Sequence, residues 1–454
     1  MTLNRLFWPA VVCIAGVMGA LQVSSVRLET QTWDEGIHIS SGYAYLARGD
    51  YAWNSEHPPL AKIMSALPLT LLGARIPDDR PGWKKRDEVA FGIDFLYRNR
   101  APADAILFAA RSMTIVLSLL FVAAVAWWTR RRFGPAAGLL AAALCAFDPN
   151  LIAHGRYVTT DLPVTAFYFF ACVLWVEYLE NGRLRWLVAA AAAFSLAMVI
   201  KFSAVLLIPT LAALYVFRWF QRPAEFSWRR ALVAAGTLAG ALLAVVSVVY
   251  WPETLRCLSG RAGLLIKVVD RDSLTGEALY QAARKLHLPA HAWFTGLAKV
   301  ASHNAEGHAS YLLGMRSDTG WWYYFPVVFA VKSTMAALAA GVLLCGAGLL
   351  ACVRWVRRSA CPPGFIWAGL LFPPLFYFIF SMTSGINIGM RHILPVYPFL
   401  YVAAAGALAG FGWRRAARWG MVALGALQAA ECASIAPHYL AFFNALSGGP
   451  GNGP

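Results

Sequence analysis

The chain is short of charge. Only 14% of its 454 residues are Asp, Glu, Lys or Arg, while 59% are hydrophobic. A soluble globular protein carries about 25% charged residues, so a freely soluble fold is excluded. Acidic residues are the scarcest charged type, 23 against 39 Lys and Arg. No cysteine pattern suggests a scaffold. Cys13, Cys145, Cys172, Cys345, Cys352 and Cys432 fall within apolar runs, and Cys257 sits in a polar stretch. That spacing excludes a disulfide framework and a cysteine-ligated metal. No internal repeat or low-complexity segment is evident, which argues against the repeat-built transporters.

Apolar length is what the chain has. A bilayer-spanning helix needs about 20 apolar residues. Eleven segments qualify, at 6–26, 105–128, 136–153, 162–179, 186–200, 203–217, 231–251, 322–352, 364–382, 393–411 and 417–436. The reading is an all-α polytopic membrane protein. The first segment follows Arg5 and lacks a small-residue cleavage site, so it is read as an uncleaved helix rather than a signal peptide. The 186–217 region is read as a hairpin turning near Lys201, because that keeps Arg183, Arg185 and Arg218 on one side.

The net charge of +16 reflects topology. Arg130 to Arg132, Arg229 and Arg230, Arg357 and Arg358, and Arg414 and Arg415 lie in short links between apolar runs. Such clusters mark the cytoplasmic side, so no nucleic-acid partner is expected. The N-terminus is then inside, and two long loops, 27–104 and 252–321, lie outside. So do short turns near 154–161, 201 and 383–392, and the tail from Pro437. Asp270 to Lys299 reads as an amphipathic helix on the membrane surface. The whole of 1–454 reads as one transmembrane domain with no soluble domain after it.

Nearly every residue suited to chemistry falls on the outer face. Asp34 and Glu35 are adjacent, and in a helix their side chains diverge by about 100°. One can serve as a base while the other holds a neighbour; a solvated pair, or Asp34 as a helix cap, is the plainer alternative. His57-Pro-Pro-Leu-Ala-Lys62 follows. A helix beginning at Pro59 would offer its positive end and Lys62 to an anion, unless Lys62 merely snorkels. Arg111 lies inside a span and needs a partner. Arg156 and Asp161 form the next outer turn, where Asp161 is equally a cap. Lys201 tops a turn, and Arg391 and His392 head the tenth span. Lys62, Arg111, Lys201 and Arg391 could therefore converge on one anion. His287, His291, His303 and His308 do not have the spacing of a zinc site. Trp321 to Tyr324 reads as an interfacial belt or a stacking wall for a sugar.

At these residues the chain resembles the GT-C class of membrane glycosyltransferases, nearest the bacterial protein O-mannosyltransferase and aminoarabinose transferase superfamily. The resemblance rests on Thr32-Trp-Asp-Glu35, His57-Pro-Pro-Leu-Ala-Lys62, Arg156-Tyr-Val-Thr-Thr-Asp161, Gly314-Met-Arg-Ser-Asp-Thr-Gly-Trp-Trp-Tyr-Tyr-Phe-Pro326, Met390-Arg-His-Ile-Leu-Pro395 and Pro437-His-Tyr-Leu-Ala-Phe-Phe-Asn444. It implies a multi-pass protein of the bacterial inner membrane with its site facing the periplasm. It implies a polyprenyl-phosphate-linked sugar as donor, and a protein, lipid or glycan as acceptor. Asp34 would be the base, with Glu35 beside it, and His57, Lys62 and Arg111 would meet the lipid phosphate. The sugar would transfer in a single inverting displacement. No cofactor is implied with certainty; a divalent cation at the carboxylate pair stays open. A transporter or lipid flippase is the competing class.

Overall fold

A computed structural model describes residues 2–225, 227–258, 291–356, 364–410 and 415–452. The first part runs α1 (Thr2–Val26), α2 (Trp33–Arg48), α3 (Leu60–Ala66), α4 (Pro81–Lys84), α5 (Glu88–Tyr97) and α6 (Ala103–Phe133). It continues through α7 (Pro135–Ala146), α8 (Pro149–His154), α9 (Asp161–Asn181), α10 (Leu184–Met198), α11 (Leu207–Gln221), α12 (Trp228–Val249) and α13 (Trp251–Leu258). After the undescribed 259–290 come α14 (His291–Glu306), a hairpin of β1 (Ser310–Leu312) and β2 (Met315–Ser317), α15 (Tyr324–Lys332) and α16 (Met335–Val356). The described bundle closes with α17 (Phe365–Ser381), α18 (Val396–Gly410) and α19 (Arg415–Ile435).

Every segment expected to cross the membrane is helical. Leu3–Val26, Ala103–Phe133, Asp161–Asn181, Phe202–Gln221 and Trp228–Val249 are long and apolar enough to cross alone. Where the hairpin is expected, α10 ends at Met198 and Lys201 is extended before the next helix begins.

Two segments differ from the expectation of one helix each. The 136–153 run is α7 followed by α8, because Asp148 caps α8 by accepting from the Asn150 and Leu151 amides at 2.7 and 3.1 Å. The 322–352 run is α15 and α16, bent by 115° at Ser333-Thr334. A break in a membrane helix is tolerated only where its freed backbone groups find partners. Here they do. Asn444 donates its side-chain amide to the Ala330 and Ser333 carbonyls (2.6 and 2.8 Å) and its backbone N–H to Val331 (3.0 Å). Asn150 covers the Lys332 carbonyl at 2.8 Å. On the other side of the bend, Glu431 of α19 accepts from the Met335 and Ala336 amides (2.8 and 3.3 Å), and the Thr334 hydroxyl accepts from Ala337 (3.0 Å).

The first long loop is a packed layer, α2 to α5, over one end of the bundle. Glycine sets its closeness: a Cβ on Gly42 of α2 would stand 2.2 Å from the Lys62 carbonyl oxygen of α3. The expected helix over 270–299 lies outside the described residues up to 290. The described remainder, α14, rests on the bundle rather than on a membrane surface alone. Trp293 donates to the Met198 carbonyl at 2.9 Å, and a Cβ on Gly296 would meet the Ser55 carbonyl at 2.3 Å.

Candidate active site

Asp34 and Glu35 part company at the start of α2. Thr32 precedes the helix as its cap, so Asp34 does not cap it. Glu35 turns inward and is fully buried. It accepts from the Thr32 amide at 2.8 Å and the Val158 amide at 3.0 Å, and forms a two-pronged pair with Arg111, Nε to Oε1 at 2.8 Å and Nη2 to Oε2 at 2.6 Å. Arg111 donates its other hydrogens to the carbonyls of Val26 (3.2 Å), Glu29 (3.0 Å) and Thr30 (2.7 Å). A guanidinium has five N–H groups, and all five are engaged. Arg111, expected at a lipid phosphate, instead ties α6 to the α1–α2 link.

Lys62 is likewise turned inward. Its ammonium meets the Tyr45 hydroxyl (2.7 Å), the Asn54 carbonyl (2.8 Å), the Asn54 side-chain oxygen (3.1 Å) and the His57 carbonyl (2.7 Å). Four acceptors surround three hydrogens. Burial lowers Lys62 well below the usual lysine value, against the charge of Glu88. The expected offer of Lys62 to an anion is therefore not met by this geometry. Nor is the start of α3 free, since the Leu60 amide donates to the Val199 carbonyl at 3.1 Å. Lys62 fixes the 54–57 bend and so places His57.

Asp34 faces the other way, into a cluster drawn from five parts of the chain. It is ion-paired with Arg391 of the short turn before α18. Lys201, at the hairpin, pairs with Asp161 at the head of α9 at 2.6 Å. His38, four residues after Asp34 on α2, sets its ring across that of His57 at 5.2 Å and 88° and bonds the Val158 carbonyl through Nδ1 at 2.9 Å. His392 stacks on Phe325 of α15 at 6.1 Å. Both Asp34 and Asp161 lie within electrostatic reach of Arg391, and Asp161 and Lys201 within reach of His57 and His392.

The structure thus brings together Asp34, His57, Asp161, Lys201, Arg391 and His392, and sets Glu35, Lys62 and Arg111 behind them. Arg156 is fully buried and paired with Glu29, which also accepts from the Tyr157 hydroxyl at 2.5 Å. Arg156 braces the α1–α2 link. His38 and His154 were not singled out from the sequence. His38 shares a helix face with Asp34 at i, i+4, a signal present in the chain. His154 is buried at the end of α8, and its Nδ1 has no partner.

Each carboxylate of the cluster is paired with a cation, Asp34 with Arg391 and Asp161 with Lys201. Among the described residues no three His, Cys, Asp or Glu side chains are grouped to hold a metal. Of the outer-loop histidines, His303 lies 3.5 Å from Glu56, while His287 lies outside the described residues.

Burial, with Lys62 close by, lowers His38 from its ordinary 6.5 to about 4. Burial also holds His57 and His392 well below 6.5, helped by His38 and Lys62 at His57 and by Lys201 and Arg391 at His392. The folded chain keeps these rings neutral where the unfolded chain protonates them. The stability they contribute is whole above about pH 6.5 and is lost as pH falls toward 4. The thermal midpoint in detergent should fall over that window, and His38→Gln should flatten the slope. An unchanged slope in the variant would count against the assignment.

With this geometry in view, residues 104–251 match the model of the dolichyl-phosphate-mannose-protein mannosyltransferase family. That stretch runs from α6 to the start of α13 and carries Arg111, Arg156, Asp161 and Lys201. In that segment and in fold, the chain is similar to the GT-C class of membrane glycosyltransferases. Its fold is similar to that of ArnT from Cupriavidus metallidurans bound to undecaprenyl phosphate, with a TM-score of 0.55 at 14% identity over 91% of this chain and 62% of that one. The apo state of that protein gives 0.52 at 17% identity over the same shares. AglB, an archaeal oligosaccharyltransferase from Archaeoglobus fulgidus in complex with an inhibitory peptide and a dolichol-phosphate, gives 0.51 at 13% identity over 95% and 55%. The chain spans less than two thirds of the length of each of these structures. No curated protein matches the sequence.

Proposed function

We propose that this multi-pass membrane protein is a glycosyltransferase. It moves a sugar from a polyprenyl-phosphate donor to a hydroxyl or phosphate of a protein, lipid or glycan acceptor. The observation that carries the reading is the cluster at one end of the bundle: a carboxylate, Asp34, that is part exposed and paired with Arg391, gathered with the Lys201–Asp161 pair and with neutral histidines. The end of the bundle opposite the arginine-rich links is the end a periplasmic site would occupy.

For a hydroxyl acceptor each group has a task. A hydroxyl is a weak nucleophile, and Asp34 takes its proton as the oxygen attacks the anomeric carbon. The leaving group is a phosphate, and Arg391 and Lys201 offset its growing charge. Attack from the face opposite the phosphate inverts the anomeric centre. Neutral His57 and His392 can hydrogen-bond sugar or phosphate oxygens without adding charge. Glu35, Arg111 and Lys62 act at one remove, by holding α2 and the 54–57 bend in place.

The test is reconstitution of the full chain in liposomes with polyprenyl-phosphate sugars and candidate acceptors, followed by mass spectrometry. Glycosylated acceptor and released polyprenyl phosphate are expected. Movement of the lipid across the bilayer with no covalent product would replace this reading with the transporter.

A further inference from the structure

Three ion pairs hold the site, and they differ in how easily they open. Arg111–Glu35 is 1% and 0% exposed, and Lys201–Asp161 is 13% and 4% exposed. Arg391–Asp34 is 26% and 28% exposed. A buried pair is strongly destabilising to break, whereas a pair in contact with water is worth little. Arg391 also sits on a short turn rather than on a long helix. That turn, Met390–Ile393, follows Gly389, whose φ of 98° places it outside ordinary helix. Of the three cations, Arg391 is the one free to exchange partners, and its present partner is the proposed base.

We infer that Arg391 passes from Asp34 to the donor phosphate during the reaction, so that base and leaving group share one cation in turn. This rests on the glycosyltransferase reading and deepens it. The charges balance. The acceptor O–H proton goes to Asp34, the acceptor oxygen bonds the anomeric carbon, and the bond from that carbon to the phosphate oxygen breaks. Its electron pair stays on the phosphate. Asp34 goes from −1 to neutral while the phosphodiester monoanion becomes a monoester dianion. The guanidinium loses its hold on one partner at the moment the other gains charge. An interaction that strengthens only as charge develops lowers the barrier rather than the ground state.

The handover predicts an affinity change with an unusual sign. Asp34 and the phosphate compete for Arg391, so neutralising Asp34 tightens phosphate binding instead of weakening it. Undecaprenyl phosphate is the probe, titrated against the full chain in detergent and followed by native mass spectrometry or tryptophan fluorescence. Asp34→Asn should bind it about tenfold more tightly than the wild type, a coupling of ordinary size between linked sites. In an Arg391→Gln background the same change should give no tightening. A residue that merely supports the fold would lower affinity when replaced and show no such dependence on Arg391. Should Asp34→Asn fail to fold, Asp34→Ser carries the same expectation. Wild-type binding with unchanged or weaker affinity in the Asp34 variants overturns the handover and leaves the glycosyltransferase reading standing. If the wild type neither binds undecaprenyl phosphate nor transfers a sugar, that reading fails and the handover with it.

Discussion

Asp34→Asn is expected to lower sugar transfer by about a thousandfold while the protein folds and melts as the wild type does. Positioned proton transfer is worth roughly 10² to 10⁴ in rate, and the carboxamide can take no proton. The fold should tolerate the change, because Asp34 and its ion-pair partner Arg391 are both part exposed. The loss should appear in kcat, with no rise in KM. If Arg391 moves to the phosphate when Asp34 is neutral, apparent KM for the donor falls while turnover collapses. Single-turnover transfer in proteoliposomes, alongside a thermal melt in detergent, separates the two. Turnover within tenfold of wild type would remove Asp34 from the role of base.

Glu35→Gln, one residue on, is expected to fail for a different reason. Glu35 and Arg111 form a buried pair with two hydrogen bonds, and removing one partner leaves a charge stranded out of water. Such breaks cost about 3–5 kcal/mol. Arg111→Gln should cost a similar amount, because it also releases the carbonyls of Val26, Glu29 and Thr30. The double variant should lose less than the sum of the two, since the partners share one interaction. Denaturation in detergent tests this directly. If Arg111→Gln melts like the wild type yet loses affinity for undecaprenyl phosphate, Arg111 is a phosphate contact after all, and its five donors must be free to rearrange.

The contrast between these neighbours shows where sequence reading stopped. The membrane class, the eleven helical segments and the turn at Lys201 follow from hydropathy and arginine placement, which are local properties. The gathering of Asp34, Asp161, Lys201 and Arg391 at one end follows from topology, because alternate crossings bring distant turns to one face. Which carboxylate joins the cluster does not follow, since Glu35 is turned inward by Arg111, 76 residues away. Lys62 misled for the same reason. Its motif advertises a cation near the surface, but the carbonyls of Asn54 and His57 that surround it arise from a bend no spacing rule specifies. The break at Ser333-Thr334 hid within a run of high hydropathy. The polar pair in the middle of the run, and Glu431 inside another, were its traces.

That break has a consequence for motion. Its hydrogen bonds are supplied by α8, by α19 and by the segment at Asn444, which are remote from it in sequence. Were Asn444 alone to withdraw, the carbonyls of Ala330, Val331 and Ser333 would each lose the bond it donates. The elbow and the strap across it must therefore shift together or not at all. Phe325, on the short arm of that elbow, stacks on His392 beside Arg391. Any travel of the strap would be felt at the Asp34–Arg391 pair.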